Sequence, residues 1–430
     1  MFSKILRIGL ITLLIGLFGV GLFGAGFVTG HRMALSGAFT TGLPLLGGSA
    51  ETQLESGGTP AGLADTFAPF WEAWDLVHEH YVDQPVDDRA LMYGAIKGML
   101  QALGDRHTGY STPAESEILF SDASGELEGI GAEVSSKGDA VEIISPLPGS
   151  PAETAGILPG DLIVGVDGED TTGQDLFTVI TKVRGPAGTV VRLSILRVGE
   201  PEPLEFEITR AKIVIPSVES KMLEGGIGYV KINSFGEKTA DELQKQLETL
   251  IAENPNGMVL DLRGNPGGYR DAAIDVASQF IGDGLIMIQR YGDGREEKFE
   301  AERGGLATEI PLVVLINQGR ASASEIVAGA VQDYDRGQIL GEQSYGKGTV
   351  QIWPELSNHQ GSLRITIARW LTPDGHSIDK QGIAPDVTIE LTQADRDAKR
   401  DPQLEAAVNL LMGEPVADSQ STAAIVVYAD

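Results

Sequence analysis

An α/β core that carries a separate β-rich segment, entered through a short helical region, is the fold class that the sequence predicts. Three observations predict it. Beyond Gly225, apolar stretches of strand length (Ile227 to Ile232, Met258 to Leu262, Leu312 to Ile316) alternate with segments of helical length (Ala240 to Glu253, Tyr269 to Phe280, Ser322 to Gln332), the order expected of a sheet covered by helices. From about Glu126 to Arg210 the pattern changes to short strands separated by glycine turns. Ahead of both, Phe67, Phe70, Trp71, Trp74 and Val77 recur at helical spacing, and Asp88 opens a second helix carrying Leu91, Ala95, Met99 and Leu103. The aromatic stripe on the first of these helices reads as core or packing surface, not as a cofactor box.

The chain begins with a different kind of segment. After Lys4 and Arg7, residues Ile8 to Gly30 carry no charge and consist mostly of Leu, Ile, Phe, Val and Gly, which meets the ~20 residues needed to span a bilayer. No convincing small-residue cleavage site follows, so an uncleaved signal-anchor, one transmembrane helix, is the expectation. The two cations before it place the short N-terminus in the cytoplasm and everything after Gly30 outside it, although His31 and Arg32 reduce the asymmetry. Met33 to Ala64 is rich in Gly, Ser, Thr and Pro without periodicity, as a flexible tether would be.

Composition excludes several functions. Acidic residues outnumber basic ones, 61 against 32, for a formal net charge of −29 over 430 residues. Nucleic acid is therefore not an expected partner, because phosphate binding needs a basic surface. The chain has no cysteine, so disulfides and thiolate metal sites are ruled out. His78 and His80 diverge on a helix, and neither a metal nor a cofactor is expected. His107, in Gly104-Asp105-Arg106-His107-Thr108-Gly109-Tyr110, reads as structural.

The chemistry concentrates in Leu315-Ile316-Asn317-Gln318-Gly319-Arg320-Ala321-Ser322-Ala323-Ser324-Glu325, followed by Tyr345-Gly346-Lys347-Gly348-Thr349-Val350-Gln351. An apolar strand ends at the Asn-Gln-Gly turn, and the small residues after it suit a closely packed helix, so Ser322 falls where strand turns into helix. At such a corner the hydroxyl is exposed and the Ala323 N–H points outward with the positive end of the helix dipole behind it, which suits a developing oxyanion. A serine attacks a carbonyl only if a neighbour takes its proton, and a lysine stripped of water by burial can do so. Lys347 is the candidate base. On a strand it shares a face with Thr349 and Gln351, and Gln351 can hold the amine without adding charge, whereas a carboxylate there would keep the proton on.

Two glycine motifs complete the picture. Val259-Leu260-Asp261-Leu262-Arg263-Gly264-Asn265-Pro266-Gly267-Gly268 reads as a buried strand ending in a turn that only glycines can make, with N–H groups left at its tip. A tight strand-to-helix connection would explain this motif equally well by itself. Asp261 and Arg263 are expected to pair structurally. In the β-rich segment, Gly129-Ile130-Gly131-Ala132 opens a run that continues through Ser150 to Ile157 and Pro159 to Ile163. That run resembles a PDZ domain. The resemblance puts Gly129, Ile130, Gly131 and Ala132 in the carboxylate-binding loop, where N–H groups can hold a chain terminus while the adjacent strand edge pairs with the incoming peptide.

The serine, lysine and glycine motifs together resemble the C-terminal processing peptidases, the tail-specific serine protease family. That family sets its lysine 25 residues after the nucleophile and its glutamine four further on, which is the spacing of Ser322, Lys347 and Gln351 here, and it selects Ser322 over Ser324. Arg320 departs from the small serine common at that position. The resemblance runs from about Phe67 to Ile389 and includes Ile365 to Gly375 and Gly382 to Asp386, read as fold-defining. It implies a crotonase-like core, with Ser322, Lys347 and Gln351 catalytic and with Gly268, neighboured by Gly267, joining Ala323 in the oxyanion hole. The implied organisation is a signal-anchor over 1–30, a linker over 31–65, an N-terminal helical region over 66–125, a PDZ domain over 126–210, the α/β peptidase core over 211–390, and a C-terminal helix and tail over 391–430.

The implied activity is that of an envelope-anchored, extracytoplasmic serine endopeptidase. Its partners are proteins or peptides with free apolar C-termini and, through the N-terminal helix, the membrane; whether chains form a homo-oligomer stays open. Two other classes are compatible with parts of the sequence: a tethered peptide-binding scaffold with a silent catalytic domain, and a hydrolase pairing Ser322 with His107 or His359.

Overall fold

The computed structural model describes residues 61–417 apart from 124, 266 and 320–321, together with 424–425. The expected signal-anchor, most of the tether, Arg320 and most of the tail beyond 417 lie outside the described residues. Among the described residues no helix is long and apolar enough to cross a membrane. The described residues fall into two units, divided between Asp87 and Asp88.

In the first unit a 3₁₀ turn (Ala61–Leu63) leads into helix α1 (Ala64–His80). Its rings pair along one side, Phe70 against Trp71 at 5.0 Å and Trp74 stacked on His78 at 5.1 Å between centroids. No residue of α1 is buried, so the aromatic stripe is a surface of this unit and not its core. The Gln84 amide nitrogen donates toward the carbonyls of Val77, His78 and Tyr81 at the helix end, and the Val77 carbonyl also accepts the Tyr81 N–H at 3.0 Å.

The second unit opens with α2 (Asp88–Gln101), β1 (Gly109–Ser111) and α3 (Pro113–Ala123). There follow β2 (Glu126–Gly129), β3 (Ala132–Lys137), β4 (Ala140–Pro146), α4 (Pro151–Thr154), β5 (Leu162–Val166), β6 (Glu169–Asp170), α5 (Leu176–Val183), β7 (Val190–Leu196), β8 (Leu204–Thr209) and β9 (Ala211–Val214). This is the β-rich segment. Strands β3-β4-β5-β7-β8 form its sheet, and Ile143, Ile163, Val179, Leu193 and Ile195 form its own core. Among the described residues β2 and β9 pair only with each other, antiparallel, as a two-stranded neck. On that neck Glu126 bridges Lys212 of β9, at 2.6 Å, and Lys238 of the following domain, at 2.5 Å.

The α/β core comprises β10 (Val218–Leu223), β11 (Ile227–Ile232), α6 (Thr239–Ala252), β12 (Gly257–Asp261), α7 (Arg270–Ser278), β13 (Leu285–Tyr291), β14 (Glu296–Glu300), β15 (Leu312–Ile316), α8 (Ala323–Asp333), β16 (Gln338–Gly341), β17 (Thr349–Ile352), β18 (Ser362–Leu371), β19 (Val387–Thr388), α9 (Gln393–Asp397) and α10 (Pro402–Leu411). Its main sheet runs β10-β11-β12-β15-β16-β19, parallel from β11 onward. Every residue of β12 and β15 is buried, because helices cover both faces, and that is why these strands read as unbroken apolar runs. The alternation of side chains divides them. Met258, Leu260, Leu312, Val314 and Ile316 join the layer of α6, α7 and α8, while Val259, Val313 and Leu315 meet Ala406, Ala407 and Leu410 of α10.

A second sheet, β1-β18-β13-β14 with β17 beside β18, lies apart from the first. The hairpin β13–β14, the ten-residue β18 and the helix α3 extend what the sequence pattern shows. Through β1 and β18 the segment before the β-rich domain is hydrogen-bonded to the core, with Tyr110 opposite Leu363.

Candidate active site

Parallel strands β12 and β15 are neighbours, and both end at the same edge of the sheet, where open α/β folds place their reactive groups. The two chemical motifs are the turns that leave these ends. Ser322 sits at φ +76° at the N-cap of α8, half-buried, so its hydroxyl stands at the helix tip. Ser324 is 5 % exposed, which leaves Ser322 as the accessible hydroxyl of the pair. The Ala323 N–H, the first of the helix, has no partner among the described residues.

The other turn is held by its glycines and by Asn265. Phe235 runs parallel to Gly268: its N–H donates to the Gly267 carbonyl at 3.0 Å, and its carbonyl accepts from Tyr269 at 2.7 Å. The fit leaves no room for a side chain, since a Cβ on Gly268 would stand 2.1 Å from the Phe235 oxygen. Gly268 is an exposed residue, and its N–H has no partner among the described residues. Gly267 differs. Its N–H donates to Asn265 Oδ1 at 2.7 Å, so of the two glycines picked out in the sequence only Gly268 has a donor to offer.

Lys347 is carried by a loop pressed against residues 378–382; a Cβ on either flanking glycine, Gly346 or Gly348, would come within 2.7 Å of a backbone nitrogen there. The indole of Trp370 donates to the Lys347 carbonyl at 3.0 Å. Burial lowers the Lys347 ammonium from its ordinary value, the nearby Arg364 cation adds to this, and Glu325 opposes both. This is the direction that a proton acceptor needs.

Glu325 is the residue that the sequence reading passes over. It is 1 % exposed and accepts four hydrogen bonds. Oε1 takes Ser344 Oγ at 2.5 Å and the Gly346 N–H at 2.7 Å. Oε2 takes the N–H of Ser322 and the N–H of Lys347, both at 3.0 Å, so these two backbone nitrogens lie within twice that distance of each other. The sequence points to a neutral partner for the Lys347 amine; the structure adds a carboxylate bonded to the Lys347 backbone N–H, with four donors sharing its charge. The signal was in the sequence as Ser-x-x-Glu, the spacing in which an N3 carboxylate reaches back to the N-cap N–H.

Gln351 stands on β17, and its amide nitrogen donates to Thr349 Oγ1 at 2.7 Å and to Thr366 Oγ1 at 3.4 Å, which leaves its carbonyl oxygen as the acceptor. Among the described residues no hydrogen bond joins the Lys347 amine to Ser322 or to Gln351. Behind Thr366 stands Asp105. Burial works against its charge, yet hydrogen bonds from Thr366, the His107 N–H and Thr108 bring its carboxyl down to about 2. His107 is held below its ordinary value by burial, by Lys347 and by Arg106, and its carbonyl accepts from Arg364 Nε at 2.6 Å. His107 therefore borders the site. His359, with 95 % of its side chain exposed on a surface turn, does not.

The loop over residues 129–132, expected from the sequence to bind a carboxylate, lies among the described residues. Ile130 is buried and its carbonyl accepts from Ala152; the Gly131 carbonyl accepts from Leu147. The N–H groups of Ile130 and Gly131 have no partner among the described residues. Beside the loop, an apolar groove lies between β3, an edge strand of its sheet, and α5, with Leu127, Val134, Val179 and Val183 on its walls. Among the described residues no cluster of metal-ligating side chains occurs.

Comparison with known proteins bears on this site. Residues 226–389 match the model of peptidase family S41, residues 142–197 that of a PDZ domain, and residues 47–113 that of the N-terminal domain of the activating protease CtpB. A carboxy-terminal-processing protease of Bartonella bacilliformis is 41% identical over 331 residues, 75% of each chain. The chain belongs to peptidase family S41. Within the family, a carboxyl-terminal-processing protease of Synechocystis sp. is 38% identical over 349 residues, covering 79% of this chain and 81% of its own. The solved structure of a photosystem II D1 C-terminal processing protease superimposes with a TM-score of 0.51 at 32% identity, covering 75% of this chain and 92% of that one. This S41 peptidase therefore joins an α/β serine-protease fold to a PDZ domain, the combination expected from its motifs.

Proposed function

We propose that this peptidase is an extracytoplasmic endopeptidase, anchored by its apolar N-terminal segment, that captures unstructured protein C-termini and cuts upstream by a Ser/Lys mechanism. The terminal carboxylate is taken by the N–H groups of Gly129, Ile130, Gly131 and Ala132, and the apolar last side chain by the groove between β3 and α5. Neutral Lys347 removes the proton of Ser322 Oγ as that oxygen adds to the scissile carbonyl. The N–H groups of Ala323 and Gly268 take the negative charge that forms on the carbonyl oxygen. Collapse expels the amine, which receives the proton from Lys347, and leaves an acyl ester on Ser322. Water, deprotonated by Lys347, hydrolyses it. Gln351 fixes the lysine through its free carbonyl oxygen.

The observation that carries this reading is the shared carboxylate: a residue with the wrong charge for a general base's neighbour is buried where it ties the backbone of Ser322 to that of Lys347. The test incubates the purified chain and its Ser322→Ala variant with unfolded proteins ending in apolar or charged residues and maps the fragments by mass spectrometry. Cleavage confined to the unsubstituted chain and favouring apolar ends is the expected outcome. Equal fragmentation by both chains, or none by either, would refute it.

A further inference from the structure

The two oxyanion donors come from different turns, Ala323 from the turn after β15 and Gly268 from the turn after β12. Both must lie within ~3 Å of one oxygen at the same moment, so something has to hold the turns in register. Asn317 stands between them. Its Oδ1 accepts the Gly264 N–H at 3.0 Å, at the start of one turn, and the Gly319 N–H at 3.2 Å, within the other. The turns also lie close there, since a Cβ on Gly319 would be in van der Waals contact with the Gly264 Cα, at 3.6 Å. On its far side the glycine turn is fixed by Asn265, whose amide donates to the Ile232 carbonyl at 2.7 Å. Without Asn317 that turn would keep its attachment to β11 and lose its hydrogen bond to the nucleophile's turn.

We infer that Asn317 is a positioning residue of this peptidase: it sets the separation between the Gly268 and Ala323 N–H groups and so the stabilisation of the tetrahedral oxyanion. This role rests on the Ser322 mechanism proposed above. Among the described residues Asn317 makes no hydrogen bond to Ser322. Its effect belongs to the step in which charge develops, and substrate docking in the PDZ groove does not depend on it. Both contacts use Asn317 as an acceptor through one oxygen, so an isosteric carboxylate can replace it and an alkyl group cannot.

The experiment measures cleavage of an unfolded protein with an apolar C-terminus by the full chain, by Asn317→Ala and by Asn317→Asp, with the melting temperature of each. Misplacing a transition-state donor by less than an ångström is expected to lower kcat about 10- to 100-fold in Asn317→Ala. KM should stay within about twofold, because ground-state binding is untouched. Asn317→Asp is expected to recover most of the loss at the same melting temperature as Asn317→Ala, which a merely structural role would not give. Turnover of Asn317→Ala within twofold of the unsubstituted chain, a change confined to KM, or an Asn317→Asp no better than Asn317→Ala would overturn the role while leaving the peptidase reading intact. An unsubstituted chain without Ser322-dependent turnover would overturn both.

Discussion

Ser322 and Lys347 share one hydrogen-bond acceptor: the N–H of each lies 3.0 Å from Glu325 Oε2. The proposed nucleophile and base are thus joined through their backbones by one buried carboxylate. The arrangement has two consequences of opposite sign. The carboxylate orders the loop that carries Lys347, and its charge keeps the Lys347 amine more basic than burial and Arg364 alone would.

Glu325→Gln separates the two. A carboxamide has one acceptor oxygen where the carboxylate has two, so two of the four donors lose their partner and the Ser322 and Lys347 loops loosen. A misplacement of this kind is expected to lower kcat/KM about 10²-fold. With the negative charge gone, the acidic limb of the pH profile should move to lower pH. A steady-state pH series on both chains checks this; a limb that moves upward would show that Glu325 acts on Lys347 by some means other than its charge.

Arg364 gives the complementary prediction. The cation disfavours protonation of Lys347, so Arg364→Gln should raise the lysine pKa, shift the acidic limb of kcat/KM toward the ordinary value of 10.5 and reduce turnover at neutral pH. Stability follows the same sign. The folded pKa lies below 10.5, so between the two values the unfolded chain binds more protons, and the cost of burying Lys347 grows as the pH falls through that window. Arg364→Gln should therefore flatten the dependence of the unfolding free energy on alkaline pH, as measured by denaturant titration at several pH values.

The sequence carried the fold and the candidate site turns for a reason that also explains what it hid. Strands β12 and β15 are buried on both faces, so they appear as unbroken apolar runs, and the turns after them contain residues that only special backbone conformations require. Ser322, Lys347, Gly268 and the carboxylate loop sit in such turns. Arg364 acts through contacts between segments far apart in the chain, and nothing local marks it; for Glu325 the Ser-x-x-Glu spacing marks only the contact to Ser322, and for Asp105 the local spacing marks the bonds from His107 and Thr108 but not the one from Thr366. Helix α3 lacks a helical stripe, since Ile118, Leu119 and Phe120 are adjacent. The two-residue period assumed for Lys347, Thr349 and Gln351 meets a register shift between Val350 and Gln351, and a period cannot foresee a bulge.

The PDZ loop yields a binding prediction. Gly131 is at φ +75°, and a Cβ there would stand 2.6 Å from Ser150 Cβ and 2.7 Å from Ile213 Cδ1. Gly131→Val must displace the loop whose N–H groups are to hold the carboxylate. Fluorescence anisotropy with a labelled apolar-tailed peptide is expected to show at least a tenfold loss of affinity, the equivalent of ~1.4 kcal/mol. Phosphonate labelling of Ser322 should be retained, because the two sites are separate. Unchanged affinity would remove this loop from the recognition site.

The last prediction concerns the base of the glycine turn. Arg263 leaves β12 and spans two carboxylates, donating to Asp261, which is 2 % exposed, and to Asp401 at the start of α10, with Gln403 as a further acceptor. Tyr229 donates to the same Asp261 at 2.8 Å. Arg263→Leu would leave the Asp261 charge buried without its cation, a loss of about 3–5 kcal/mol for a broken buried pair. Asp401 is more exposed, and Asp401→Asn should cost only about 1 kcal/mol. Burial works to raise the Asp401 carboxyl, but hydrogen bonds from Arg263 and Leu404 hold it below 3.8. Its contribution is therefore present above that value and disappears as the pH falls through the lowered folded pKa. Denaturant unfolding of both variants at neutral pH, and of Asp401→Asn down to acid pH, measures each part. A small loss in Arg263→Leu would mean that Asp261 takes up a proton or water instead, and that α10 holds the strand by its apolar face alone.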